Sequence, residues 1–194
     1  MSSAPSESPA GGRATPNDAL EAARRTFLSG NRLDMGRLAA ELGISRATLY
    51  RWTGPREQLL GDAIVSLSEV MFGRAMEETS DLRGVERILA HFRRFVGWIV
   101  HDKALGTFIR NETEAAIRIL TSRGGVVQPR MVGLLQGLLE EEREKGAFSP
   151  RVEIPLLAYA MVRVTEGFIY HDEIAAVAPE VDAAARVVEL MLEP

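Results

Sequence analysis

The sequence predicts an all-α protein of about nine or ten helices, and three observations carry that expectation. Apolar residues recur at three- and four-residue steps along most of the 194-residue chain, the spacing of one face of a helix. No segment alternates polar and apolar residues over a sustained stretch, and no Asn-Gly hairpin turn occurs, so strands are not expected. Ser, Asp, Pro and Gly fall at the ends of the periodic stretches, where they cap and stop helices. An apolar content of 46% with 26% charged residues supports a packed core and argues against wholesale disorder.

In chain order, residues 1–15 are rich in Ser, Pro, Gly and Ala and are expected to form a flexible tail. Pro16 or Asn17 opens a helix with Leu20, Ala23 and Phe27 on one face, ending near Gly30 and Asn31. Asp34 is a natural N-cap for a short helix carrying Met35, Leu38, Ala39 and Leu42 inward, because its carboxylate can accept the free N–H groups of the first turn. Gly43 stops it, and Ser45 caps a second short helix that must end before Gly54 and Pro55. Pro55 then opens a longer helix with Leu59, Leu60, Ala63, Ile64, Leu67, Val70 and Met71 on its stripe. Further helices are expected over Val85–Trp98, over Ala104–Leu120 with one break, over Val126–Lys145, from Pro155 to His171, and from Pro179 to Leu192.

Composition excludes several functions. Without cysteine there is no disulfide framework, thiol nucleophile or thiolate-bound zinc. The apolar runs are too short to span a membrane, and residues 1–12 lack the apolar core of a secretory signal. The net charge of −4 looks hostile to nucleic acid, but it is unevenly distributed. Residues 13–56 hold eight Arg against four acids, for +4, whereas residues 57–194 carry −7. Such asymmetry marks a local anion-binding module on an acidic body. All eight cations are Arg, whose planar fork suits phosphate oxygens and guanine edges.

The stretch from Asp34 to Trp52 reads as a helix-turn-helix. Two short helices joined at Gly43 would share Leu38, Ala39, Ile44 and Leu49 as a small core. With Leu49 inward, Arg46, Thr48, Tyr50 and Arg51 fall on the outer or flanking faces, and the start of the second helix, at Ser45, offers free N–H groups to phosphate. This block, Gly43-Ile-Ser-Arg-Ala-Thr-Leu-Tyr-Arg-Trp52 followed by Gly54-Pro-Arg-Glu-Gln-Leu-Leu60, resembles the TetR family of bacterial transcriptional regulators. The run from Tyr50 to Glu57 is similar to the QsdR-like subgroup, named for regulators of quorum-signal lactone degradation. One departure stands out: the family commonly has an aromatic pair after Tyr-x, and here the pair is Trp52-Thr53.

The resemblance implies a cytoplasmic homodimer without a cofactor. Residues 16–60 would form its DNA-binding domain and residues 61–194 its effector-binding and dimerisation domain. The second helix of the motif would enter the major groove of a palindromic operator. Arg46 and Thr48 would then reach base edges or the adjacent backbone, Tyr50, Trp52 and Arg56 would lie on phosphates, and Arg13 would reach a minor groove. The two C-terminal helices would pair with their symmetry mates through Ala160, Val164, Phe168, Val181, Ala184 and Val188. Effector contacts are expected from Phe92, Phe95, Trp98, Phe108, Asn111, Tyr159, Glu166 and Tyr170. A mainly apolar lining with few polar groups points to a small, largely apolar effector of the acyl lactone or fatty acyl type, and to a repressor released by it.

Two rival classes fare worse. His91 and His101 lie on different helix faces, Glu112 and Glu114 are two apart, and no Glu-x-x-His pair, P-loop or nucleophile elbow occurs, so catalysis is not expected. A helical adaptor that binds only protein would not need an Arg-only N-terminal quarter.

Overall fold

A computed structural model describes residues 14–171 and 180–193. Arg13 and Pro179, both singled out above, lie outside the described residues. Among the described residues there are ten α-helices, one π-helical turn and no strand. The helices are α1 (Pro16–Leu28), α2 (Met35–Glu41), α3 (Arg46–Thr53), α4 (Arg56–Glu78), α5 (Gly84–Val100), α6 (Lys103–Asn111), α7 (Thr113–Thr121), α8 (Val127–Glu144), α9 (Ile154–Glu166) and α10 (Val181–Leu192). The π turn, Gly167–His171, continues α9. Among the described residues no helix is long and apolar enough to cross a membrane.

The capping chemistry sets most boundaries. Thr15 and Asp18 form a reciprocal capping box at the start of α1, with Pro16 in its first turn. Asp102 accepts the N–H of Leu105 at 2.8 Å to start α6. The break expected within Ala104–Leu120 falls at Glu112, which ends α6 and begins α7.

Two apolar cores result. The first gathers Ala19, Ala22, Ala23 and Phe27 of α1 with Leu38, Ala39 and Leu49, then continues into Leu59, Leu60, Ala63 and Ile64 of α4, Leu105, Phe108 and Ile109 of α6, and Ile119 and Leu120 of α7. The second joins Phe72 of α4 to α5, α8, α9 and α10 through Ile88, Leu138, Leu139, Leu157, Met161 and Val188. Helix α4 runs unbroken through position 60, and through it the helix-turn-helix shares a continuous core with α6 and α7.

A buried ionic joint ties α5 to α8. Glu142 accepts the Gly84 N–H at 2.6 Å and Arg87 Nη1 at 2.5 Å, and Arg87 also reaches Glu141 at 2.6 Å. Gly84 has φ 60°, and a Cβ there would stand 2.3 Å from the Ala147 carbonyl oxygen, so only glycine lets the backbone come this close.

Candidate nucleic-acid interface and ligand cavity

The helix-turn-helix is assembled by short-range hydrogen bonds. Asp34 accepts the N–H groups of Gly36 and Arg37, both at 2.8 Å. These bonds, with the nearby charges of Arg46 and Arg37, hold its carboxyl below the usual range. Gly43 turns the chain at φ 65°, and Ile44 N–H returns to Ala39 O at 3.0 Å. Ser45 Oγ accepts the Thr48 N–H at 3.1 Å and starts α3. Leu38, Ala39 and Leu49 are buried against α1, as the spacing requires.

What remains outward on α3 is a polar ridge. Ser45, Arg46, Tyr50 and Arg51 are exposed, and Thr48 and Trp52 are half-buried. Arg46 and Tyr50 border an open depression that also exposes Arg32 and Arg37. Ser45, Thr48, Arg51 and Trp52 border a second one. The helix stands between two clefts with guanidinium groups at each, an arrangement whose charge suits phosphates. The Arg46 guanidinium rests over Gly36, close enough that a Cβ there would displace it. Thr53, in the place of the family's second aromatic, is buried and donates its hydroxyl to Leu49 O at 3.0 Å.

Arg56 borders the same depression as Arg46 and Tyr50, but its guanidinium is also engaged internally. Its Nε donates to Leu33 O at 2.8 Å and its Nη2 to Glu112 Oε1 at 2.7 Å. A phosphate contact by Arg56 would have to share or break this tie to Glu112 and the Leu33 carbonyl.

The second feature is a cavity of about 80 Å³ walled by α4 to α9 and the π turn. Phe72, Phe92, Phe95, Ile99, Leu105, Leu120, Met131, Leu135 and Ile169 are among its apolar walls, and Ser68, His91, Gln128, Thr165, Glu166 and Tyr170 bring polar atoms. Gln128 Nε2 donates to Glu166 Oε1 at 2.9 Å, and Arg163 Nη1 to Glu166 Oε2 at 2.6 Å. Burial pushes the Glu166 carboxyl up despite both donors. Burial likewise pushes His91 down to about 4. Its Nε2 lies 3.3 Å from the Phe72 carbonyl oxygen, which can only accept, so the ring that burial keeps neutral carries its proton on Nε2. Burial and the neighbouring Glu166 charge raise the Tyr170 hydroxyl.

Of the eight expected effector contacts, Phe92, Phe95, Glu166 and Tyr170 line this cavity. The other four are elsewhere, for distinct reasons. Trp98 is covered by Arg74, 5.0 Å above its ring, and Tyr159 by Arg123 at 5.0 Å. Phe108 packs edge-on against Phe27 at 6.0 Å. With Asn111 it borders a separate pocket beside Arg56 and Glu112. Gln128 was missed as a site residue. Its signal was a polar side chain on the apolar stripe of α8, three and seven residues before Met131 and Leu135. The π turn was missed too; its widened backbone carries Ile169 and Tyr170 into the lining.

Residues 83–193 match the family model described as "Tetracyclin repressor-like, C-terminal domain", which spans more than half of the chain. The protein belongs to the TetR family. Among solved structures, this TetR-family chain is similar to the R. erythropolis transcriptional repressor QsdR, with 26% identity and a TM-score of 0.85, covering 91% of this chain and 93% of that one. It also shares its fold with FadR from Bacillus subtilis in complex with stearoyl-CoA (13% identity, TM-score 0.59, 92% and 98% covered). FadR from Bacillus halodurans has the same fold (16%, 0.57, 91% and 93%). Comparison with curated protein sequences gives no match. The all-helical architecture is that of TetR-family transcriptional regulators, which bind DNA and ligands and dimerise.

Two of the residues expected on the dimer face of this TetR-family chain are placed otherwise. Ala184 and Val188 are fully buried within the single chain, where α10 packs on α5 and α9, so neither can meet a partner. Val164, Phe168 and Val181 are half-buried against the second core, and Ala160 is half-buried on α9. The apolar side chains that do face outward here are Leu156 on α9 and Val187 and Leu190 on α10.

Proposed function

We propose that this TetR-family chain is a homodimeric repressor that reads a palindromic operator through α3 and leaves it when a small, largely apolar molecule enters the cavity. The observation that carries the reading is the division of one fold between an Arg-bordered α3 ridge and a mainly apolar cavity, joined by a common core. Arg46 and Thr48 are the base-edge candidates, and Tyr50, Trp52 and Arg51 the phosphate contacts, with Ser45 at the helix start. The similarity to the repressor QsdR supports repression over activation.

The cavity also supports coupling. Its volume of about 80 Å³ is far below the roughly 300–1,000 Å³ of ligand pockets, so an occupant has to part its walls. Leu105 of α6 and Leu120 of α7 belong both to those walls and to the core beneath the helix-turn-helix. A ligand of the acyl lactone or fatty acyl type would therefore shift α6 and α7 against α1 and α4, and DNA and ligand would each disfavour the other's arrangement.

Selection of bound duplexes from a random pool tests the DNA half. The expected product is a palindrome with half-sites about 34–36 Å apart, and Arg46→Ala loses discrimination at one position of each half-site. No enrichment, or enrichment unchanged by Arg46→Ala, would reject the assignment of α3.

A further inference from the structure

We infer that Glu166 makes the cavity select effectors with a neutral, hydrogen-bond-donating head, such as an amide or hydroxyl, and reject carboxylates and other anionic heads. The inference rests on the cavity being the effector site and goes beyond it by fixing the head-group chemistry. Among the described residues no Lys or Arg lines the cavity, whereas a carboxylate does. Glu166 is only 7% exposed, so an anion beside it would be repelled through a poorly screening medium. Of the other polar groups, Thr165 and His91 add acceptors, while Ser68, Gln128 and Tyr170 can donate as well as accept. The Thr165 hydroxyl spends its proton on Met161 O at 2.8 Å, leaving lone pairs, and the neutral His91 ring keeps Nδ1 as an acceptor once Nε2 serves Phe72.

Among the described residues, Glu166 Oε1 is held by the Gln128 amide on the cavity side and Oε2 by Arg163 toward the surface. A ligand N–H or O–H can replace or join the Gln128 donor without stripping the carboxylate of its Arg163 partner. An ester or ketone head can offer no donor, and a fatty carboxylate adds a second buried negative charge. Of the two effector types named above, the inference excludes free fatty acids and favours acyl compounds carrying an amide.

The test uses decanamide, methyl decanoate and decanoate, which share a chain and differ at the head. They are titrated into the full-length protein near neutral pH and read by calorimetry and by the shift in Tm. The amide is expected to bind at least about tenfold more tightly than the carboxylate, with the ester between them. In Glu166→Gln the amide weakens, the carboxylate strengthens, and the gap closes to within about threefold. Equal binding of amide and carboxylate by the native protein overturns the inference while leaving the cavity as a ligand site, and so does a gap unchanged in Glu166→Gln. Binding of none of the three overturns the effector-site reading itself, and this inference with it. The native-protein comparison decides the matter even where the variant folds poorly.

Discussion

Arg56, in the first turn of α4, and Glu112, at the α6–α7 break, meet at 2.7 Å across 56 positions of sequence. The same guanidinium holds the Leu33 carbonyl ahead of α2 at 2.8 Å, and Arg32 approaches the other Glu112 oxygen at 3.5 Å. One carboxylate thus fastens the helix-turn-helix to the joint between two cavity-lining helices. Both members are largely buried, at 19% and 16% side-chain exposure, so removing either one leaves the other's charge poorly solvated. Arg56→Ala and Glu112→Gln should each destabilise the fold by about 1–2 kcal/mol in urea titration, with a coupling energy of about 1 kcal/mol in the double-mutant cycle. Full additivity would mean that the contact ties nothing. For DNA, Arg51→Ala rather than Arg56→Ala should lower the salt slope of binding, by roughly one.

His91 gives stability a pH dependence above the carboxylate range. The ring is buried, with its centroid 4.2 Å from that of Phe72 and stacked on Phe95 at 6.0 Å. In the folded chain it stays neutral down to about 4, against 6.5 for the exposed group. Between those values the unfolded chain binds more protons, so stability falls as pH drops through that window, by on the order of 3 kcal/mol in full. His91→Phe keeps the aromatic packing and removes the titration. Its urea midpoint should change much less than the native one between about pH 7 and about pH 5. Equal slopes would show that the ring is solvated.

Glu142 is the counterpart at low pH. Burial pushes its carboxyl up, but the Gly84 N–H, Arg87 and Lys145 outweigh burial and hold it below the usual range. The stability it contributes is present above the unfolded carboxylate value and is lost as pH falls through the lowered folded one. Glu142→Ala leaves Arg87, whose Nε already lacks a partner, with only the half-exposed Glu141. The expected cost is about 3 kcal/mol near neutral pH. Glu142→Ala combined with Arg87→Met should recover part of that loss, since no unpaired charge then stays buried. A double variant less stable than the single one would contradict this account.

The signals that could be read from sequence act over one helical turn or one helix face. Asp34, Gly43 and Ser45 declare the helix-turn-helix because their partners are within three or four residues, and the outward side of α3 follows once Leu49 is inward. Long-range pairings leave no such trace. The tie of Arg56 to Glu112 and to the Leu33 carbonyl joins residues 56 and 23 positions apart, beyond the reach of any local signal. Trp98 and Tyr159 share the apolar periodicity of Phe92 and Phe95, but Arg74 and Arg123 cover them at the surface. An apolar stripe says that a face is covered and is silent on what covers it. That is why Ala184 and Val188, placed at a dimer face, proved to be core.

That last distinction can be tested directly. In the single chain Leu190 is 67% exposed and Leu156 58%, and Val187 lies one turn before Leu190 on the same side of α10. Leu156 and the half-buried Ala160 and Val164 follow one another at four-residue steps on α9, so each of the last two helices carries an outward apolar stripe that a two-fold contact could use. Leu190→Glu, which places a charge there without touching the core, should shift the protein from dimer to monomer at micromolar concentration in analytical ultracentrifugation. Its helicity and Tm should change little. Val188→Ala should do the reverse: it opens a cavity between α10 and α5, lowers stability by about 2 kcal/mol, and leaves assembly intact. If Leu190→Glu stays dimeric while Val188→Ala dissociates, the partner contact lies on the face of α10 that the chain itself already covers, and the packing of α10 on α5 described above is wrong.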